Sequence, residues 1–331
     1  QIPMNAQETR YLKVLMVAVI SFFMMACSAK APKDSPVALN GALQVKGIQL
    51  CNEKGEALML RGVSLGWHNF WPRFYNEKAV KWLATDWKSN VVRAAMGVGP
   101  DDSYLQNPEF GIESVTRVVD GAIKQGIYVI IDFHSHKIHT EEAKKFFTLM
   151  AEKYGKYPNV IYEIFNEPDY YTWPEVKAYS EELIKTIRAI DPDNIILVGS
   201  PHWDQDIHLV AEDPIAGQTN LMYTMHFYAG THKQWLRDRT DAAMAKGIPI
   251  FVSECAGMEA TGDGPLDPAE WNAYLTWMED RKISWVVWSL SDKNETCSML
   301  LPRAESTGNW SDELIKEWGK MSRDAIRGLN K

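Results

Sequence analysis

The chain has 331 residues, of which 46% are hydrophobic, enough for one large buried core. Its formal net charge is −8 and it contains no long basic run, so the composition gives no support to a nucleic-acid-binding role.

The N-terminal segment has the pattern of an export signal. Basic residues precede an apolar run from Val14 to Met25, which is too short to span a bilayer. Ala26-Cys27 then resembles a bacterial lipoprotein cleavage site, with an ordinary signal peptide as the alternative. We therefore predict an exported protein, secreted or held at the cell envelope by a lipid on Cys27. The predicted divisions are a signal peptide over 1–27, a linker over 28–40 and one folded domain over 41–331.

Strand and helix patterns alternate after residue 41. A short hairpin is predicted within 43–51. The eight strand candidates that follow are 58–65, 90–96, 128–133, 160–165, 194–198, 221–227, 249–253 and 284–290. The helix candidates are 77–88, 111–125, 141–154, 173–190, 233–246, 268–281 and 312–329, the last with Ser311 as N-cap. A helix within 201–213 is expected to be short or broken. Strands that are continuously apolar are typical of parallel sheets, so we predict an α/β fold, a (β/α)₈ TIM barrel.

Chemically useful side chains crowd the ends of these strand candidates. They are His68, Trp71, Arg93, His134, Asn166, Glu167, His226, Tyr228, Glu254, Trp288, Lys293 and Glu295. Because a barrel keeps its chemistry at the C-terminal ends of its strands, we expect them to converge on one site. The 13 tryptophans fit either core packing or a surface on which sugar rings stack.

Two glutamates suggest the chemistry. Glu167 and Glu254 each close an apolar strand, and a pair of carboxyl groups is what hydrolysis of a glycosidic bond requires. Arg93 lies within an apolar strand, where a buried charge needs a partner, and Glu254 is the natural one. The sequence therefore favours a retaining glycosidase that uses no cofactor.

A metal-dependent barrel hydrolase is the alternative from a different class. The residues His134 and His136 would face the same side of a strand and could serve as metal ligands. We favour a site without metal, because this pair ends the third strand, whereas barrel metallohydrolases usually carry such a pair on the first.

Seven segments in this order resemble glycoside hydrolase family 5, and within it the bacterial endo-β-1,4-glucanases. They are 60–64, 90–96, 129–134, 162–168, 226–229, 250–254 and 288–295. The resemblance implies endo-acting, retaining hydrolysis of β-1,4-glucosidic bonds in cellulose and related β-glucans by a monomeric enzyme. Xylan and β-mannan are the alternative substrates on the same scaffold, and a non-catalytic glycan-binding barrel is disfavoured because both glutamates are present.

The resemblance also implies individual roles. Glu167 would be the general acid/base and Glu254 the nucleophile, so their environments must favour opposite protonation states. The residues implied to support catalysis are Arg93, Asn166, His134, His226 and Tyr228. Those implied to bind the polysaccharide are His68, Trp71, Trp288, Lys293 and Glu295, with His68 and Trp71 matching the family only loosely.

Two positions depart from the family pattern. Gly97 stands where these glucanases often carry Tyr, so a sugar contact is missing there or supplied from elsewhere. Cys255 follows the expected nucleophile where relatives often have Trp or Phe, which changes the packing behind the carboxylate.

Overall fold

Eight parallel strands close into a barrel at the centre of the computed structural model, which describes residues 30–331. The strands are β3 Arg61–Leu65, β4 Val91–Gly97, β5 Tyr128–His134, β6 Val160–Glu163, β7 Ile196–Val198, β8 Leu221–Tyr228, β9 Ile250–Ala256 and β10 Trp285–Leu290. They follow one another around the barrel in chain order, and β10 pairs with β3 to close it. The predicted (β/α)₈ barrel is confirmed.

Helices connect and surround the strands. They are α1 Pro36–Asn40, α2 Glu77–Thr85, α3 Pro108–Gln125, α4 Thr140–Tyr154, α5 Trp173–Arg188, α6 Ile207–Glu212, α7 Gln234–Ala245, α8 Pro268–Arg281 and α9 Glu317–Leu329. Local signals start several of them: Asn76 caps α2, and Thr172 forms a capping box with Glu175 at α5. The helix expected within 201–213 is broken, because a one-turn segment, Pro201–Asp204, precedes the short α6.

The N-terminal end of the barrel is closed by a hairpin and a short helix. Strands β1 Gln44–Lys46 and β2 Gln49–Cys51 pair antiparallel, as expected. Helix α1, however, falls within the segment predicted to be a linker over 28–40. Ser35 caps it, and Val37 is buried and donates its N–H to Gly126 O at 2.8 Å. The linker prediction is therefore wrong for these residues, whereas Cys27 and the export signal lie outside the described residues.

The closing helix begins later than the sequence predicted. We expected it to start at Asp312 with Ser311 as N-cap, but α9 starts at Glu317. Ile315 instead forms a β-bridge with Leu300, and Leu314 donates its N–H to Ser311 O in a turn. Pairing with a neighbouring segment thus overrides the local capping signal.

The barrel interior changes character along its length. Residues two apart in a strand face the same side. On β4, β5 and β6 the inward positions include Val91, Ile130 and Ile161, which belong to a buried apolar cluster. The next inward positions carry Arg93, Asp132 and Glu163, which are 0% exposed. The apolar layer lies toward the N-terminal end, and the charged layer lies toward the end where function is expected.

None of the helices described for residues 30–331 combines the length and apolar character that crossing a membrane requires.

Gly62 is a position where the barrel has no room for a side chain. A Cβ built there would lie 1.7 Å from the backbone oxygen of Val91 on the neighbouring strand. We predict that Gly62→Ala lowers the free energy of unfolding by about 1–3 kcal/mol, because the strands must separate to admit the methyl group. Urea unfolding measures this. Gly328→Ala is the matched control, because a Cβ there meets nothing within 4 Å. Equal stability of the two variants would contradict the prediction.

Candidate active site

A cavity of about 1020 Å³ opens at the C-terminal ends of the barrel strands. Both Glu167 and Glu254 line it, together with Asn166, His134 and His226. Its aromatic wall includes Trp67, Phe70, Trp71, Trp203, Trp235 and Trp288. An aromatic cavity with a few converging polar groups is the usual form of a small-molecule or glycan site.

Glu254, near the end of β9, is fixed at both carboxylate oxygens. Arg93 Nη1 donates to Oε2 at 3.1 Å, and the Tyr228 hydroxyl donates to Oε1 at 2.6 Å. Burial, and the neighbouring Glu254, raise the pKa of Tyr228 well above its usual value, so the phenol keeps the proton that it donates. The carboxylate is therefore held in one orientation, with a cation on one side and a neutral donor on the other.

Arg93 holds more than Glu254. Its guanidinium donates to both oxygens of Glu163, at 2.7 and 3.2 Å, and lies 3.0 Å from Asp132 Oδ2. It also donates to Asn166 Oδ1 at 2.7 Å. Burial alone would raise the pKa of Glu163, but Arg93 and His226 outweigh it and lower the pKa to about 2. Asp132 differs, because burial raises its pKa well above the usual range.

Glu167 follows β6 and contacts two histidines. His226 Nδ1 lies 2.9 Å from Glu167 Oε1, and His136 Nδ1 lies 3.6 Å from Oε2. Burial would raise the pKa of Glu167, but the hydrogen bond to His226 and the nearby histidines outweigh it and lower the pKa. This direction is the opposite of the one that a resting general acid requires. The charge on His226 must therefore be offset for Glu167 to hold a proton at neutral pH.

Trp288 and His134 form one side of the cavity. Their rings stack in parallel planes with centroids 5.2 Å apart, and the Arg93 guanidinium lies 5.9 Å from the Trp288 ring. Burial, and then Arg93, lower the pKa of His134 to about 3, so the imidazole is neutral. Its Nδ1 lies 2.6 Å from Asp132 Oδ2, which fixes the ring.

Other expected substrate contacts divide between cavity and interior. Lys293 and Glu295 both line the cavity and form an ion pair at 2.8 Å, and Trp71 also lines it. His68 does not line it: the side chain is 0% exposed and accepts the Gly97 N–H at Nδ1, 2.9 Å away. Burial lowers the pKa of His68 to about 4. The expectation that His68 binds substrate is wrong, because its ring points under the strand ends and fixes the backbone there.

The metal alternative named His134 and His136. Among residues 30–331, the cluster of three potential metal ligands with mutually close atoms consists of Glu167, Asp204 and His226. Neither His134 nor His136 belongs to it, so the pair on which the alternative rested does not converge with a third ligand.

Sequence reasoning assigned no role in the site to Asp132, Glu163, Ser253 and Asp204. The first two had a signal: each lies two positions from an apolar inward residue on a strand, and Arg93 needed more than one partner. Ser253 precedes Glu254 and donates to Glu163 Oε1 at 2.6 Å, which no local pattern announces. Asp204 reaches the site through the fold of the Pro201–Asp204 turn, whose unusual backbone has no signal in the sequence.

Curated relatives match over nearly the whole chain. An endoglucanase of Clostridium saccharobutylicum is 39% identical over 324 residues, covering 96% of this chain and 72% of its own length. Endoglucanase Z of Dickeya dadantii is 42% identical over 292 residues, covering 86% of this chain and 67% of its own length. For the first four such relatives, the chain spans 63–72% of their lengths.

Solved structures give the same result. A structure from Cytophaga hutchinsonii superposes with a TM-score of 0.88 at 43% identity, covering 89% of this chain and 97% of that one. The catalytic domain of a Thermobifida fusca endoglucanase superposes with a TM-score of 0.83 at 32% identity, covering 88% and 99%. A variant of that domain was solved in complex with cellotetraose.

The family assignment follows from these matches and from the barrel. The family profile described as "Cellulase (glycosyl hydrolase family 5)" matches residues 51–294, most of the described chain. The chain belongs to glycosyl hydrolase family 5.

Proposed function

We propose that this family 5 hydrolase is an endo-1,4-β-glucanase that cleaves cellulose and related β-glucans with net retention, acting as a monomer. The observation that carries the proposal is the contrast between two carboxylates facing one cavity. Glu254 is held by a cation and a phenol, whereas Glu167 rests on the His226 ring. The names of the relatives, all endoglucanases, support the choice of substrate.

The mechanism assigns one role to each glutamate. Glu254 attacks the anomeric carbon while protonated Glu167 donates its proton to the departing glycosidic oxygen, giving a covalent glycosyl-enzyme. Glu167 then removes a proton from water, which displaces Glu254 with a second inversion. Retaining glycosidases place the two carboxyl groups about 5–5.5 Å apart for this sequence of steps. Neither step requires a metal ion or an organic cofactor.

The cavity supplies groups suited to hold a glucan. Asn166 Nδ2 has no hydrogen-bond partner within the described chain, although Arg93 fixes the same amide through Oδ1. It is therefore free to bond a sugar hydroxyl beside the reacting carbon. Trp288 offers a flat ring for stacking, and the Lys293–Glu295 pair offers a donor and an acceptor.

The substrate assignment predicts a definite order of activity. Sugar release from carboxymethylcellulose and mixed-linkage β-glucan is expected to exceed that from xylan and mannan. Treatment with EDTA is expected to leave the rate on each polymer unchanged, since the mechanism uses no metal. Reducing-sugar assays on the four polymers, run in parallel with and without EDTA, measure this. Dominant xylan or mannan activity would keep the mechanism and change the substrate, and loss with EDTA would contradict the mechanism.

The roles of the glutamates predict different defects. Glu254→Gln is expected to abolish turnover on every substrate, because no nucleophile remains. Glu167→Ala is expected to lose about 10²–10⁴-fold on cellooligosaccharides, which need a proton at the leaving oxygen. The same variant is expected to keep glycosylation by dinitrophenyl cellobioside, whose leaving group needs none. Added azide is expected to restore its turnover and to yield the β-glycosyl azide.

Glu259→Gln is the matched control for Glu254→Gln, and Glu259→Ala is the matched control for Glu167→Ala. Each makes the same chemical change at an exposed position in the loop that follows Glu254. Wild-type activity is expected there. Normal turnover by Glu254→Gln, or an α-glycosyl azide from Glu167→Ala, would contradict the assigned roles.

We also propose that the chain is exported and carries a lipid on Cys27. The support is the apolar run from Val14 to Met25 followed by Ala26-Cys27. Radiolabelled palmitate, fed to bacteria that express the full chain, is expected to label the protein and to place it in the membrane fraction. Cys27→Ser is expected to remove the label, and Cys51→Ser is the control. A labelled Cys27→Ser protein, or an unlabelled wild-type protein, would contradict the proposal.

A further inference from the structure

The positions of the hydrogens around His226 follow from the ionised state of Glu163. Glu163 is ionised, because Arg93 binds both of its oxygens and holds its pKa at about 2 against the effect of burial. Ser253 Oγ lies 2.6 Å from Glu163 Oε1, so its hydroxyl hydrogen is donated there. The same oxygen lies 2.8 Å from His226 Nε2 and must accept from it. His226 therefore carries a hydrogen on Nε2.

The other ring nitrogen faces two carboxyl groups. His226 Nδ1 lies 2.9 Å from Glu167 Oε1 and 3.2 Å from Asp204 Oδ2. A bare nitrogen lone pair between two carboxylates would be repelled by both, so a proton must lie between Nδ1 and one of them. The side chains of His226 and Asp204 are 1% and 0% exposed, so their charges are poorly screened by solvent.

Hydrogen bonds hold Asp204 at only one of its two carboxyl oxygens. Its Oδ1 accepts from the Ser200 N–H at 2.7 Å and from the Thr224 hydroxyl at 2.9 Å. Its Oδ2 lies 3.2 Å from His226 Nδ1, and among residues 30–331 it makes no well-directed hydrogen bond, to His226 or to any other group. Asp204 thus has one anchored oxygen and one available oxygen.

The backbone that carries Asp204 is unusual. His202, Trp203 and Asp204 have φ values of 57°, 53° and 60°, the left-handed region that non-glycine residues rarely adopt. Strained turns of this kind persist only where surrounding contacts hold them. His202 and Trp203 line the cavity beside Glu167, so the anchored carboxyl group of Asp204 also holds part of the cavity wall.

We propose that Asp204 is the counter-charge of a protonated His226, and that this charge-neutral pair lets Glu167 keep the proton it donates to the leaving group. Asp204 is then a positioning residue that acts through His226. The inference rests on the proposed role of Glu167 as general acid. The pair also explains how Glu167 can hold a proton beside His226, because an imidazolium without a counter-charge would hold Glu167 ionised.

The charges around His226 favour a protonated imidazole ring. The groups that face His226 come from β6, the loop after β6, the turn after β7 and β9: they are Glu163, Glu167, Asp204 and Glu254. Burial alone would lower the pKa of His226, but these carboxyl groups raise it well above its usual value. Burial raises the pKa of Asp204, which His226 opposes. Glu167 is also faced by His134 and His136 from the end of β5.

The decisive variant is Asp204→Asn. It keeps the shape of the side chain and removes its charge, so a proton left on His226 becomes an uncompensated cation 2.9 Å from Glu167. Glu167 then loses its proton at lower pH, and the basic limb of the kcat/KM profile on cellooligosaccharides is expected to move down by about 1 pH unit or more. A purely structural role would lower the rate without moving that limb.

Leaving-group dependence gives a second readout. With dinitrophenyl cellobioside, which needs no proton donation, Asp204→Asn is expected to glycosylate at close to the wild-type rate. At pH 7 on cellooligosaccharides it is expected to lose about tenfold or more, in line with the displaced limb. Asp206→Asn is the matched control, because it makes the same change two residues away on a side chain that pairs with Arg239. Its pH profile is expected to match that of the wild type.

Two outcomes would overturn the inference. The first is an unmoved basic limb in an Asp204→Asn enzyme that melts at the wild-type temperature. The second needs no Asp204 variant: histidine ¹⁵N spectra of the wild type, assigned with His226→Gln, are expected to show a strongly hydrogen-bonded proton at Nδ1, and a bare Nδ1 at neutral pH would contradict this. Failure of the Glu167 assignment is distinguishable, because Glu167→Ala would then keep its rate on cellooligosaccharides.

Discussion

The buried guanidinium of Arg93 is the interaction on which the rest of the site depends. It is 0% exposed and contacts carboxylates from three different barrel strands, Asp132, Glu163 and Glu254. Removing such a cation would leave buried carboxyl groups without a counter-charge, which is far more costly than losing one hydrogen bond. Closing the barrel therefore also brings together the carboxyl groups to which we assign the chemistry, since the strands that meet at Arg93 carry Glu254 and lead to Glu167.

A chain of hydrogen bonds connects Arg93 to Glu167, the proposed acid. Arg93 ionises Glu163, which takes the hydroxyl hydrogen of Ser253, whose oxygen in turn accepts from His226. His226 then reaches Glu167 on its other side. Every donor in this chain has its direction set by the one before it. The two glutamates therefore belong to one network, in which a single fixed charge orients groups on opposite sides of the cavity.

The sequence was sufficient for the barrel and for most of the polar side chains that line the cavity. Long apolar strands, helix caps and carboxylates at strand ends are local signals, and they placed Glu167 and Glu254 on one cavity, with Arg93 buried behind Glu254. His68 was misplaced because position in the chain after a strand does not say whether a ring turns toward the cavity or beneath it. The start of α9 and the ordered α1 were missed because pairing with distant segments decided them. Asp204 depends on three left-handed residues that no propensity favours.

The position of α1 has a practical consequence for attachment. The helix lies against the start of β5, where Val37 bonds to Gly126 and the Tyr128 hydroxyl bonds to Gly41, while the cavity opens at the far end of the same strand beyond His134. A bead or a surface coupled through a cysteine introduced in α1 would therefore be attached to the barrel at the end opposite the cavity mouth.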